Sequence, residues 1–169
     1  ITIGEKDSNL KIIKHKFIDN KQEVKFIFKN NEYFFVTNLI GKIQIKNLIM
    51  AIIAANNCGL SMKRIIKSIS SIKPVKGRFE QIGNLKNNSK VILDYAHTPD
   101  ALKTCLLNLR SQFKLSKISI VFGCGGNRDK TKRPMMGKIA NNLCDKIYLT
   151  DDNPRNENPK KIRREIKKK

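Results

Sequence analysis

Val121 to Pro134 reads V-F-G-C-G-G-N-R-D-K-T-K-R-P, and Leu149 to Arg155 reads L-T-D-D-N-P-R. The two stretches share a layout: an apolar run, then a polar loop that contains an arginine. Lys117 to Phe122 (K-I-S-I-V-F) reads as a buried parallel-type strand and Lys146 to Thr150 (K-I-Y-L-T) as a second. Between them Met135 to Cys144 has helical spacing, with Met136, Ile139, Ala140 and Leu143 on one face. Strand, loop, helix, strand, loop is a βαβ unit, and ligands of such units bind at the carboxyl ends of the strands. Both polar loops lie there, so Arg128 and Arg155 can face one anionic ligand.

Working outward, Val91 to Leu93 reads as a buried strand ending at Asp94, and Thr98 or Asp100 starts a helix over Ala101 to Phe113. The order β-α-β-α-β-α from residue 90 onward predicts an α/β domain with a parallel sheet. Pro159 to Lys169 is a basic, helix-like run. Upstream, Phe79 to Leu85 is an expected edge strand with a turn at Asn87-Asn88. K-P-V-K-G-R-F-E, Lys73 to Glu80, is the expected domain linker, because Pro and Gly flank a short charged stretch. Lys46 to Asn57 reads as a mostly apolar helix ended by Cys58-Gly59, and Ser61 is expected to cap a second helix, Met62 to Ile69, through its hydroxyl. Residues 1–40 alternate: Lys11 to Phe17, Glu23 to Phe28 and Glu32 to Val36 form an antiparallel meander with turns at Asp19-Asn20 and Asn30-Asn31.

The 169 residues suffice for one domain or two small ones. Net charge is +21, which fits either a nucleic-acid or anionic-surface binder, or a chain whose lysines are spread over solvated faces. Lysine is scattered, and aromatic residues are not interleaved with the basic runs, which favours the second. The four cysteines, Cys58, Cys105, Cys124 and Cys144, are widely spaced without a C-x-x-C, as structural thiols of a reducing cytoplasm would be. His15 and His97 have no Cys or His neighbours at ligand spacing, so no metal site is expected. No signal peptide or apolar run of membrane-spanning length is present. The first residue is not Met and lies in an apparent strand, and the last lies in an apparent helix, so the chain reads as an internal fragment.

Several residues can carry chemistry. Asp94, at a strand end, can hydrogen-bond a ribose hydroxyl or hold a turn. His97 in Y-A-H-T-P-D can meet a phosphate, act as a base, or be a satisfied loop histidine. Gly123-Cys124-Gly125-Gly126 permits close backbone approach to a ligand but is no P-loop. Arg128, Lys130, Lys132 and Arg133 form a dense basic run. Arg155 offers a planar fork suited to a carboxylate, and Asp152 beside it can hold an ammonium. Two arginines, an aspartate and an asparagine suit a zwitterionic amino-acid group. Arg78 is either a surface arginine or a phosphate contact across a domain cleft.

G-R-F-E, D-Y-A-H-T-P-D-A-L, V-F-G-C-G-G-N-R-D-K-T-K-R-P-M-M and T-D-D-N-P-R, in this order and spacing, resemble the Mur ligase family. The match is strong from about Leu39 to Arg164, and residues 1–38 fit in position only. The resemblance implies that residues 1–76 are the end of a central ATP-binding domain and 77–169 the beginning of a C-terminal Rossmann-like ligase domain. It implies an ATP- and magnesium-dependent amide ligation of cytoplasmic cell-wall synthesis. ATP phosphorylates the D-glutamate carboxylate of UDP-N-acetylmuramoyl-L-alanyl-D-glutamate, and an amino-acid amine then displaces phosphate. By position Asn47 would contact adenine, Arg78 the ATP phosphates and Asp94 the ribose, with Tyr95 and His97 on the nucleotide side. Arg128, Asp152, Asn153, Pro154 and Arg155 would bind meso-diaminopimelate, because the D-N-P-R form marks the diaminopimelate-adding branch. A monomer without membrane or nucleic-acid partners is expected, the alternative being a basic nucleic-acid-binding Rossmann-like module. Three departures stand out: Asn127 where Asp is usual, Thr131 where Gly is usual, and Gln44 for the first Asn of G-x-F-N-x-x-N. The family's P-loop, its carbamylated-lysine region and the final Gly- and Glu-containing part of its amino-acid site lie outside these residues, so catalytic residues are not expected here and the isolated chain is expected to lack ligase activity.

Overall fold

The computed structural model describes residues 2–4 and 9–168. Residues 1, 5–8 and 169, which fall within the expected first domain and last helix, lie outside the described residues. The chain divides into two compact units, Ile1–Asp94 and Tyr95–Lys169.

The first unit begins with the alternating segment. Strands β1 (Ile3–Gly4), β2 (Leu10–Ile18), β3 (Lys21–Phe28) and β4 (Asn31–Thr37) form one sheet in that order. β1 runs parallel to β2, and the other pairs are antiparallel. The turns take left-handed backbone at Asp19, Lys29 and Asn30 (φ 52°, 49° and 61°), the geometry that matches the twist of tight hairpins. On β3 the period of two places Gln22, Val24, Phe26 and Phe28 on the buried face. Helices α1 (Lys42–Asn57) and α2 (Met62–Ser68), with a 3-10 turn over Ile69–Ser71, cover that face through Ile45, Ile49, Ile52, Ile65 and Ile69. The buried Gln22 joins the layers: its Oε1 accepts from His15 Nε2 (2.8 Å), and its Nε2 donates to Leu39 O (2.6 Å) and Gly41 O (3.2 Å). Gly41, left-handed at φ 84°, is the residue before α1.

Two local expectations need correction. α1 starts four residues before the expected Lys46, because Ile45 already belongs to its buried stripe. Ser61 does occupy the N-cap position of α2 with extended backbone, but its hydroxyl makes no capping bond. Burial of Met62 and Ile65 anchors that short helix instead.

Strands β5 (Glu80–Asn84) and β6 (Lys90–Leu93) close the first unit as an antiparallel hairpin. β6 therefore departs from the expected run of parallel strands: its ladder partner is β5, and Leu93 is exposed. Lys73 to Glu80, the expected linker, lies inside this unit.

The second unit contains α3 (Pro99–Gln112), β7 (Ser119–Phe122), α4 (Lys132–Leu143), β8 (Lys146–Leu149) and α5 (Pro159–Ile166). Thr98 caps α3, its hydroxyl accepting from Ala101 N at 3.3 Å. β7 and β8 pair in parallel, Ser119 opposite Lys146 and Phe122 opposite Leu149, with α4 as the crossover. The fold is thus α/β with a parallel pair, as expected. The strands are not buried on both faces, however. Ile120, Phe122 and Leu149 pack with Leu102, Leu106, Met136, Ile162 and Ile166, while Val121 and Tyr148 on the other face are exposed. At the strand starts Arg110 rivets three segments, donating to Leu143 O, Ser116 O and Asp145 Oδ2 at 2.9, 3.1 and 2.6 Å. Four residues at the other end of the sheet, Gly123–Gly126, lead from β7 into the loop before α4.

Candidate functional site

The loop after β7 and the loop after β8 are bound to each other along their backbones. Thr150 N donates to Phe122 O at 3.0 Å, extending the parallel ladder past the strand ends. Gly126 N then donates to Asn153 O at 2.8 Å, and Arg155 Nη1 returns a bond to Gly126 O at 2.7 Å. A Cβ on Gly126 would collide with the Pro154 carbonyl. The glycine run therefore allows one loop to approach the other, before any ligand is considered.

Arg155 stands in left-handed backbone (φ 49°), and its N–H is taken by its neighbour's side chain, Asn153 Oδ1, at 3.2 Å. The Arg155 guanidinium and the Asp152 carboxylate both come within 4 Å of where a Gly125 Cβ would sit. Arg155, Asp152 and Asn153 are exposed, and Pro154 is half-buried. Arg128 is exposed on the facing loop. It lies between Asn127, left-handed at φ 50°, and Asp129, whose Oδ1 accepts from Thr131 N (2.8 Å) and Thr131 Oγ1 (2.6 Å). Those bonds, the hydroxyl's first, hold the Asp129 carboxyl below its usual range.

The structure thus accounts for two of the three sequence departures. Asn tolerates left-handed backbone, and the Asn127 amide is anchored by Glu157 Oε1 at 2.6 Å. Thr131 contributes a hydroxyl bond that Gly would lack. The third departure acts in the first unit. There Gln44 Nε2 donates to Arg78 O at 3.1 Å, and Asn47 Nδ2 approaches Gln44 Oε1 at 3.5 Å. Phe79, buried at φ 47°, donates its N–H to Asp94 Oδ2 at 3.0 Å. Asn47, Arg78 and Asp94, expected on the nucleotide side, accordingly lie in one hydrogen-bonded neighbourhood of the first unit. Asn47 and Arg78 are exposed.

Tyr95 and His97 belong to the second unit. Their rings pack edge to face at 5.0 Å, and His97 Nδ1 lies 3.0 Å from Tyr95 O. Lys132 Nζ donates to His97 O at 2.8 Å, tying this segment to the start of α4.

Sequence reasoning counted Arg133 only as a member of a basic run and passed over Glu157. Arg133 is wholly buried, and its guanidinium pairs with Glu157 and Glu165. The Arg133 bond first, then the Asn127 N–H, lowers the Glu157 carboxyl to about 2. The same Glu157 bond holds the guanidinium proton above its ordinary range. A signal was present: Arg133, Met136 and Ala140 fall at helical spacing on the buried face of α4, and a charge on an apolar stripe implies buried partners. Beneath the loop, burial raises the Cys124 thiol, and its Sγ lies 3.8 Å from Met136 Sδ. A groove of about 650 Å³ between α4, β8 and α5, lined by Asn141, Leu149, Arg163 and Lys167 among others, includes none of the expected site residues. Among the described residues no group of three or more His, Cys, Asp or Glu side chains is arranged to hold a metal ion, and no helix is long and apolar enough to cross a membrane.

Residues 77–169 match the family model described as "Mur ligase, glutamate ligase domain". The UDP-N-acetylmuramoyl-L-alanyl-D-glutamate–2,6-diaminopimelate ligase of Rickettsia felis is 46% identical over 167 residues, which cover 98% of this chain and 31% of the relative. The Fusobacterium nucleatum ligase of the same name is 46% identical over 131 residues, covering 78% of this chain and 27% of the relative. A solved structure of a ligase of that name superposes with a TM-score of 0.65 at 30% identity, over 96% of this chain and 33% of that one. The alanine ligase MurC of Thermotoga maritima reaches a TM-score of 0.77 at 21% identity, over 99% and 37% of the two chains, a likeness of fold. The chain spans about a third of the length of the Rickettsia relatives it matches.

Proposed function

The chain belongs to the Mur ligase family, and from that premise we propose that it forms part of an ATP-dependent amide ligase of peptidoglycan synthesis. The reaction proposed joins meso-diaminopimelate to UDP-N-acetylmuramoyl-L-alanyl-D-glutamate in the cytoplasm. In it the D-glutamate carboxylate takes a phosphoryl group from ATP. The amine then attacks the acyl carbon, loses its proton, and inorganic phosphate leaves. Residues 1–76 correspond in this reading to the end of the ATP-binding domain and 77–169 to the beginning of the ligase domain. The family match beginning at residue 77 supports that boundary.

The observation that carries the reading is the docking of the two loops at the carboxyl ends of β7 and β8. It sets Arg155 and Asp152 beside Gly125, with Arg128 on the facing loop. A guanidinium has five N–H donors, and Arg155 directs one at Gly126 O, which orients the fork. Arg155 and Arg128 would receive the distal carboxylate of diaminopimelate, and Asp152 its ammonium. Lysine has no such carboxylate and would leave the arginines unsatisfied.

The neighbourhood of Asn47, Gln44, Arg78 and Asp94 fits a nucleotide, being polar, exposed at Asn47 and Arg78, and cross-linked within one unit. Asn47 would meet the adenine, Arg78 the phosphates and Asp94 the ribose, with Tyr95 and His97 as further nucleotide-side contacts. ATP when bound supplies the phosphoryl group. For magnesium, which the family resemblance implies, the described residues offer no cluster of three or more His, Cys, Asp or Glu side chains.

Titration of a full-length ligase containing these residues with meso-diaminopimelate, followed by amide resonances, tests the amino-acid site. Shifts are expected at Gly125, Gly126, Asn153 and Arg155. Affinity should exceed that for L-lysine by at least about tenfold, the worth of one charge-assisted pair. Equal affinity for lysine, or shifts confined to other segments, would overturn the assignment.

A further inference from the structure

Arg133 lies in the first turn of α4, and its side chain is fully buried. Its Nη1 donates to Glu157 Oε2 at 2.9 Å and to Glu165 Oε2 at 2.6 Å. Its Nη2 donates to Glu157 Oε1 at 3.0 Å and to Gly125 O at 3.1 Å. The fork therefore grips both oxygens of Glu157, which is on the loop after β8. It also holds a backbone carbonyl of the loop after β7. Glu157 completes the circuit, because Oε1 also accepts from Asn127 N at 2.6 Å, and its own N–H donates to Pro154 O at 3.0 Å. Gly125, Gly126 and Asn127 are three consecutive residues. Each has a backbone polar atom bound to Arg133 or to the opposite loop.

We propose that Arg133 and Glu157 are a positioning pair that sets the two amino-acid-binding loops in register, and so sets the selectivity of Arg128 and Arg155 for a dicarboxylic diamino acid. The proposal rests on the reading of those loops given above. The pair acts through the loop backbone. Gly125 and Asn127 flank Gly126, whose carbonyl orients the Arg155 fork, and Asn127 directly precedes Arg128. Glu157 is two residues beyond Arg155. A one-residue slip of either loop would break the Gly126–Asn153, Gly126–Arg155 and Asn127–Glu157 bonds together. The planar guanidinium is essential, because a lysine ammonium is a point charge that cannot grip both Glu157 oxygens and Gly125 O in one plane.

Glu165 supplies the control. It joins Arg133 from α5, and its hydrogen bonds go to Arg133 and Lys168 rather than to either loop. Removing it loosens the buried charge without cutting the loop clip. The test compares Glu157→Gln, Arg133→Lys and Glu165→Gln in a full-length ligase containing these residues by thermal midpoint, ligand-free amide spectra and affinity for meso-diaminopimelate. Glu157→Gln and Arg133→Lys are expected to displace the ligand-free amide resonances of Gly125, Gly126 and Asn127. They should also weaken meso-diaminopimelate by at least about tenfold, as loss of a charge-assisted pair does. Glu165→Gln is expected to lower the thermal midpoint while leaving those amides and that affinity near the unsubstituted values. Affinity that falls in step with the thermal midpoint across all three variants would overturn the proposal in favour of a purely structural cluster. If the unsubstituted ligase does not bind diaminopimelate, the amino-acid site assignment fails. The positioning claim is then judged on the ligand-free spectra, and unmoved Gly125–Asn127 amides in Glu157→Gln and Arg133→Lys refute it. Arg133→Lys keeps the charge and decides the matter if Glu157→Gln does not fold.

Discussion

At the scale of single residues, Arg155 bears the most direct test. In a full-length ligase containing these residues, Arg155→Ala is expected to raise the KM for diaminopimelate far more than that for ATP. Loss of a charge-assisted pair, roughly 1.5–3 kcal/mol, corresponds to a rise of about ten- to a hundredfold. An equal rise in both values would mean that the loop serves the nucleotide. Glu157 gives a test in pH. Its carboxyl is lowered from 4.5 to about 2, first by Arg133 and then by the Asn127 N–H. A depressed folded-state value means that the stabilisation is fully present above pH 4.5 and is lost as pH falls through about 2. The Asn127 amide resonance should therefore stay unchanged down to about pH 3 and move near pH 2. Titration of that amide near 4.5 would show that the clip is absent in solution. The Arg128 and Arg155 loops were legible in the sequence because a polar residue after an apolar strand points to the ligand end of a βαβ unit. The burial of Arg133 was missed, although its spacing to Met136 and Ala140 was visible. With the helix expected to begin at Met135, Arg133 read as one more member of a basic loop. Only the true start at Lys132 puts it on the buried stripe with Met136.

At the scale of elements, the crossover β7–α4–β8 depends on close backbone approach at two glycines. Gly126 faces the Pro154 carbonyl, and Gly137 faces the Ile166 carbonyl where α4 meets α5. Gly126→Ala forces a Cβ against backbone that cannot rotate away. It is expected to destabilise the second unit by about 1–3 kcal/mol, as overpacking does, and to weaken diaminopimelate binding as well. Gly137→Ala should destabilise the same unit while affecting binding less, since that contact lies between helices. Thermal melts with ligand titrations separate the two, and a stable Gly126→Ala chain with unchanged binding would contradict the loop geometry. In the first unit Gln22→Leu removes the side-chain donor to Leu39 O, a loss of roughly 1–3 kcal/mol for a carbonyl left unsatisfied, read as a lower thermal midpoint, while Gly41 O keeps its bond from Gln44 N. The periods that announce elements were plain in the sequence: two along β2, β3 and β4, and 3.6 along α1 and α4. What β6 pairs with was not. Val91 to Leu93 reads the same beside an antiparallel or a parallel neighbour, because the choice depends on distant residues. Single-sided burial of β7 was also hidden, since Ile118, Ile120 and Phe122 alternate with Val121 in a nearly continuous apolar run.

At the scale of the molecule, each unit has its own apolar cluster. The first joins Val24, Phe26 and Phe35 to Ile45, Ile49 and Ile52, and the second joins Leu102 and Leu106 to Met136, Ile162 and Ile166. A cooperative transition follows a shared core, so the two units are expected to unfold separately. Ile52→Ala and Leu106→Ala test this. Each removes buried methyl groups at 2% exposure, and such truncations cost roughly 2–5 kcal/mol. In a unit of this size each kcal/mol moves the midpoint by about 4–8 °C. Ile52→Ala should therefore lower one calorimetric transition by more than about 8 °C and leave the transition reported by the Gly125 and Asn127 amides in place. Leu106→Ala should do the reverse. The measurement also bears on function. If diaminopimelate binds within the second unit alone, it should raise only the transition that Leu106→Ala lowers, by the mass action that favours whichever state binds. A single transition that both substitutions lower together, and that the ligand raises as a whole, would show that the units fold as one and that the amino-acid site cannot be treated apart from the nucleotide side.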